Sequence, residues 1–213
     1  MSNCCEDKSC ALEQLHARQG ATLKTVLVLN ALMFVVELAA GLVAGSVSLL
    51  ADSLDMLGDA LVYGFSLWVV GRGLAWKARA AASKAGVMAI FGLFVAAELV
   101  YKLLFPQPPG FEAMGIVGTL ALAVNTGCFG LLWRHRAEDI NMRSVWLCSR
   151  NDLFANAAVL IAALAVWQTA SAWPDLIVGA FICALFLHSA WGVAIEARRE
   201  LRAARDPLRI FST

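Results

Sequence analysis

Apolar residues in this chain come in six long blocks, near residues 22–44, 47–70, 85–105, 113–133, 144–168 and 174–195. None shows the period-two alternation of a membrane β-barrel strand. Each is about 20 residues or longer, enough for a helix to cross a hydrocarbon core of about 30 Å. Lipid offers no partners to backbone groups, so continuous apolarity predicts helices. The expectation is an all-α membrane protein with six transmembrane helices. Residues 1–21 then form a short arm, 22–195 a six-helix membrane domain and 196–213 a short basic tail. "AGS" from Ala44 is too short for anything but a tight turn, so the first two spans should pack as an antiparallel hairpin. "PQPPGFE" from Pro106 reads as a non-helical turn. "WPDL" from Trp173 reads as a helix start with proline in its first turn.

Composition strengthens this reading. Of 213 residues 60% are hydrophobic and 15% charged, and mean hydropathy is +0.70, whereas soluble domains run at about 45–50% apolar and about 25% charged. The first twenty residues lack the apolar core of a signal peptide, so the first span should be retained. Fifteen of the 17 basic residues fall in the amino-terminal segment, the second and fourth connections and the tail. Lys102 and Arg150 are the exceptions. The positive-inside rule then puts both termini in the cytoplasm, with the bacterial inner membrane as the expected location. Topology accounts for the basic residues, so nucleic acid is not an expected partner. No Ser/His or His-Glu-xx-His pattern argues for an enzyme.

The second span breaks the pattern. "LLADSLDMLGDALVYGF", from Leu49, carries Asp52, Asp55 and Asp59. A carboxylate near the bilayer centre costs at least about 2.5–3.5 kcal/mol on insertion scales, and such residues are functional candidates by default. Asp55 and Asp59 are four apart and share one helix face, with Asp52 a turn earlier. Two anions this close need a cation or a proton between them. The fifth span, "WLCSRNDLFANAAVL" from Trp146, offers a matching pair in Cys148 and Asp152. Two helices that each present ligands at i and i+4 can close a tetrahedral site of the kind zinc prefers. The thiolate also suits cadmium and other soft ions. Asp152 with Asn156 has the same spacing and is the alternative register. Asp52 reads either as a residue of the exit path or as a solvated group near the interface.

Other polar residues in the spans are read more blandly. Asn30 and Asn125 are expected to be interhelical hydrogen-bonding groups, Asn151 and Asn156 packing and hydrogen-bonding groups, and Cys128 and Cys183 packing residues. Glu37 and Glu98 are read as proton carriers, partners of Arg150, or members of interhelical hydrogen bonds. In the arm "MSNCCEDKSC", Cys4, Cys5 and Cys10 are reduced cytoplasmic thiols in this topology. Cys-rich short tracts favour metal, so they are candidates for soft-ion capture.

"VVELAAGLVAGSVSLLADSLDMLGDAL", from Val35, resembles the first two helices of the cation diffusion facilitator family, and "INMRSVWLCSRNDLFANAAVLIAAL", from Ile140, its fifth-helix region. Members carry His-xxx-Asp or Asp-xxx-Asp on the second helix and His-xxx-Asp on the fifth. The matching positions here are Asp55 and Asp59, then Cys148 and Asp152. The resemblance implies a proton-coupled exporter of divalent metal, usually a homodimer, with the metal as cargo and no bound cofactor. It further implies a short member, since the family's cytoplasmic domain after the sixth helix is not seen. Cys148 stands where the family has His, which shifts the expected cargo toward cadmium and softer ions alongside zinc. Two competing readings use the same residues: an importer or channel, and a membrane metal sensor or scaffold that binds through the cysteine arm without transport.

Overall fold

In the structure, a computed structural model, residues 4–69, 74–133 and 140–205 are described. They form six helices: α1 (Cys4–Ala44), α2 (Val47–Val69), α3 (Leu74–Leu104), α4 (Phe111–Trp133), α5 (Ile140–Thr169) and α6 (Trp173–Arg205). No strand occurs among the described residues. Five helices are long and apolar enough to cross a membrane, over Lys24–Ala44, Ala85–Leu104, Phe111–Leu131, Asp152–Thr169 and Trp173–Gly192. The remaining one is α2. Any 18-residue stretch of it contains Asp52, Asp55 and Asp59, more charge than such a span normally tolerates. The described helix α1 also begins at Cys4, well before its apolar block, so most of the polar arm continues the same helix.

Packing explains how α2 keeps its acids. It touches α1, α3, α5 and α6, and every residue from Val47 to Leu54 is buried. A helix enclosed by other helices faces protein rather than lipid, which removes much of the penalty on a polar side chain. The outer helices show the opposite pattern. On α1 the buried positions Val26, Asn30, Met33, Glu37 and Gly41 recur every three or four residues along one stripe, while Val28, Leu32, Val35 and Val43 are exposed. Ile90, Ile116, Ile161 and Phe181 are likewise exposed apolar residues on α3 to α6, consistent with a lipid-facing surface.

The α1–α2 turn has a definite local cause. Gly45 sits at φ 64°, and Ser46 N–H donates to the Gly41 carbonyl at 2.9 Å, which is the Schellman ending of α1. Only glycine takes this φ without strain. Ser46 then caps α2: its Oγ accepts from Leu49 N–H at 3.1 Å. At the same end of the bundle the 105–110 turn docks by Gly110 N–H to Ala44 O, 2.9 Å.

A long-range contact completes this corner. Asp175, in the first turn of α6, is 1% exposed. Its Oδ1 accepts from Ser46 Oγ at 2.7 Å, Ser48 N–H at 3.0 Å and Ser48 Oγ at 2.6 Å. Its Oδ2 accepts from Val47 N–H at 2.8 Å. A carboxylate borrowed from α6 thus satisfies the open N–H groups of α2 and sits at the positive end of its dipole. Gly179 allows the approach. A Cβ there would lie 2.8 Å from Ser48 N and Val47 C, and backbone cannot yield that space.

Candidate metal centre

The site is built where α2 meets α5. Asp52, Asp55 and Asp59 follow one another along α2 at spacings of three and four, which puts all three on one side of the helix. Asp52 is fully buried, which rules out the solvated interfacial position that was one of its two readings. Asp55 and Asp59 are half-buried, as is Asp152 on α5.

Asn156 makes a contact between the two helices. Its Nδ2 donates to the Asp152 backbone carbonyl at 2.9 Å and reaches Asp52 Oδ1 at 3.5 Å. The amide has two hydrogens, so both contacts can be held at once. Asp52 lies within electrostatic range of Asp152, and Glu37 on α1 within range of Asp52 and Asp55. Four carboxylates from three helices therefore share one region of the bundle interior.

Not every predicted ligand falls within reach of description. The Cys148 side chain, like those of Cys4, Cys5 and Cys10, lies outside the described residues. Cys148 belongs to α5, one helical turn before Asp152. Among the described residues, no three or more His, Cys, Asp or Glu side chains converge closely enough to hold a metal ion. The described part thus places Asn156 against Asp52 across α2 and α5, with Asp152 one turn before Asn156 on α5 and Asp55 and Asp59 continuing the α2 stripe.

Several polar residues behave differently from their sequence readings. Asn30 donates to the Val26 carbonyl of its own helix at 2.9 Å rather than to a neighbouring one. Both carboxylate oxygens of Glu37 are buried with no hydrogen-bond partner, so the interhelical hydrogen bond expected as one of its roles is not formed. Cys183 is buried, with its Sγ 3.8 Å from Gly92 O, as a packing residue would be. Asp175 was legible only as part of a helix start.

The cation efflux transmembrane domain matches residues 23–202. Among curated relatives, a zinc transporter ZitB of Pectobacterium atrosepticum is 28% identical over 202 residues, covering 87% of this chain and 63% of the relative. A zinc transporter ZitB of Yersinia pestis is 27% identical over 186 residues, 81% of this chain and 60% of the relative. The metal cation efflux system protein CzcD of Cupriavidus metallidurans is 25% identical over 184 residues, 80% of this chain and 58% of the relative. The chain spans about 60% of the length of the relatives it matches. Its membrane-spanning helices and the bacterial origin of these relatives make it an integral inner-membrane protein. With the domain match extending over most of its length, the chain belongs to the cation efflux, or cation diffusion facilitator, family.

Proposed function

We propose that this protein exports a divalent heavy-metal cation of the zinc or cadmium type in exchange for protons. All six helices span the membrane in this reading, with both termini in the cytoplasm, and two copies pair. Asp55 and Asp59 of α2, with Cys148 and Asp152 of α5, supply the four ligands. One observation carries the proposal: α2 is enclosed by other helices, holds a row of aspartates, and faces α5 where Asn156 reaches Asp52 and Asp152 lies within electrostatic range of it. Buried acids so arranged ask for a cation.

The chemistry follows from the ligand types. Carboxylates and a thiolate bind metal only when deprotonated, so loading from the cytoplasm releases protons. Reorienting the helices exposes the site to the opposite side. There protons return to the ligands, lower their affinity and displace the ion. Each half of the cycle resets the other, and the proton gradient gives the direction.

Flux into proteoliposomes tests this. With a metal-sensitive dye inside and an imposed pH gradient, zinc and cadmium should enter only while the gradient lasts. Metal binding without gradient-driven flux would favour a sensor instead. The same assay tests selectivity. Replacing Cys148→His exchanges a soft ligand for a borderline one. Cadmium flux relative to zinc should fall by about tenfold, the equivalent of about 1.4 kcal/mol of differential binding. An unchanged ratio would remove Cys148 from the ligand set.

A further inference from the structure

Beside the α2/α5 ligand set lies a group of oxygen atoms that the export cycle described above does not use. Glu37 of α1 and Asp52 of α2 are each 0% exposed, as is Asn156 of α5. Glu37 Oε1 and Oε2, Asp52 Oδ2 and Asn156 Oδ1 are all buried without a hydrogen-bond partner. They come from three helices that pack against one another. Glu37 is within electrostatic range of Asp52, and Asn156 reaches the other oxygen of Asp52 at 3.5 Å. Buried polar groups are nearly always paired, and buried charges are paired or coordinate metal. Here three packed helices carry four buried acceptors with no donor for any of them.

We propose that Glu37, Asp52 and Asn156 form a second, all-oxygen cation position next to the α2/α5 ligands, occupied by the divalent ion in transit. This deepens the export reading and rests on it. Two carboxylates match the charge of a divalent ion, and the amide oxygen adds a neutral ligand. Asp52 is one turn from Asp55 toward the Gly45–Ser46 end of α2, the extracytoplasmic end in the proposed topology. An ion leaving Asp55, Asp59, Cys148 and Asp152 outward would meet this position next. With oxygen ligands alone it holds a soft ion less tightly than a site containing thiolate. That is the order of affinities a path toward release requires.

The test counts ions on the full chain in lipid nanodiscs, using Mn2+ as the probe. Mn2+ suits carboxylate and carbonyl ligands, and its paramagnetic resonance reports free and bound ion separately. Asp55→Ala with Asp152→Ala removes the main set. That variant should still bind one Mn2+ per chain, and adding Glu37→Gln should weaken the remaining site at least ~10-fold by removing one of its two charges. In the otherwise unchanged protein, Glu37→Gln should lower the count from two to one. Asn156→Asp adds a charge and should tighten the second site about tenfold. Absence of Mn2+ in the double variant, or binding indifferent to Glu37→Gln, would overturn the proposal and leave protons as the occupants. Failure of the export reading looks different: the second site would bind Mn2+ as described while zinc flux in proteoliposomes stayed at background.

Discussion

Replacing Asp152→Ala should abolish zinc and cadmium flux, by about 100-fold or more, while leaving the protein as stable as before or slightly more so. The two effects separate because Asp152 is a ligand in the proposed site, while the backbone contact of α5 at this position does not depend on its side chain. In the proposed site, losing one charged ligand of four leaves a position too weak and too neutral to exchange metal for protons. Asn156 donates to the backbone carbonyl of residue 152, which alanine keeps. The half-buried carboxylate also stands within electrostatic range of buried Asp52, and that repulsion disappears with the substitution. An acid inside a membrane protein costs about 2.5–3.5 kcal/mol to insert, which alanine does not. Melting in detergent, size-exclusion profile and proteoliposome flux together check the prediction. A variant with unchanged melting and normal flux would exclude Asp152 as a ligand. One that melts far below the parent would make it a structural residue.

How much of this was legible in the sequence depended on the range of each interaction. Helices and their apolar blocks are local features: the tight turn at Ala44 and the spans of α1, α3, α4 and α6 stand close to where the pattern put them, while α4 starts at Phe111 inside the expected turn and the apolar span of α5 begins at Asp152. The start of α1 was not legible, because a polar helix running from Cys4 into the apolar block leaves no hydrophobic edge. Asp55 and Asp59 could be put on one face by counting residues. The state of Asp52 could not. It depends on Asn156, 104 positions away, and on how completely α2 is enclosed. Glu37 shows the same limit from the other side. Its place on the buried stripe of α1 follows from helical period, but the absence of any donor around it is a property of the assembled bundle. The family resemblance pointed to ligand positions in α2 and α5. It did not point to α1.

Asp175→Ala is expected to produce the largest loss of stability of any single change outside the ligand positions. The substitution leaves Ser46 Oγ, Ser48 Oγ, Val47 N–H and Ser48 N–H without the acceptor they share. Ser46 Oγ and Ser48 Oγ, 3.3 Å apart, can partly satisfy each other, but the two N–H groups have no such recourse. An orphaned buried donor costs about 1–3 kcal/mol, and the favourable charge at the α2 N-terminus is lost as well. A total near 3 kcal/mol would lower Tm by about 6–12 °C for a chain of this size. Asp175→Asn separates hydrogen bonding from mere shape. Its amide oxygen can replace Oδ1 and keep three donors satisfied, but its NH2 then faces Val47 N–H, donor against donor. Stability should therefore rank Asp above Asn above Ala. Flux should fall in the same order, because α2 carries Asp52, Asp55 and Asp59 within four turns of this cap, and a frayed first turn lets all of them shift. Equal melting for Asn and Ala would show that charge, and not the hydrogen-bond pattern, holds the corner. Melting unchanged in both would mean that Gly179 and the tight turn at Gly45 are enough to seat α2 without the carboxylate.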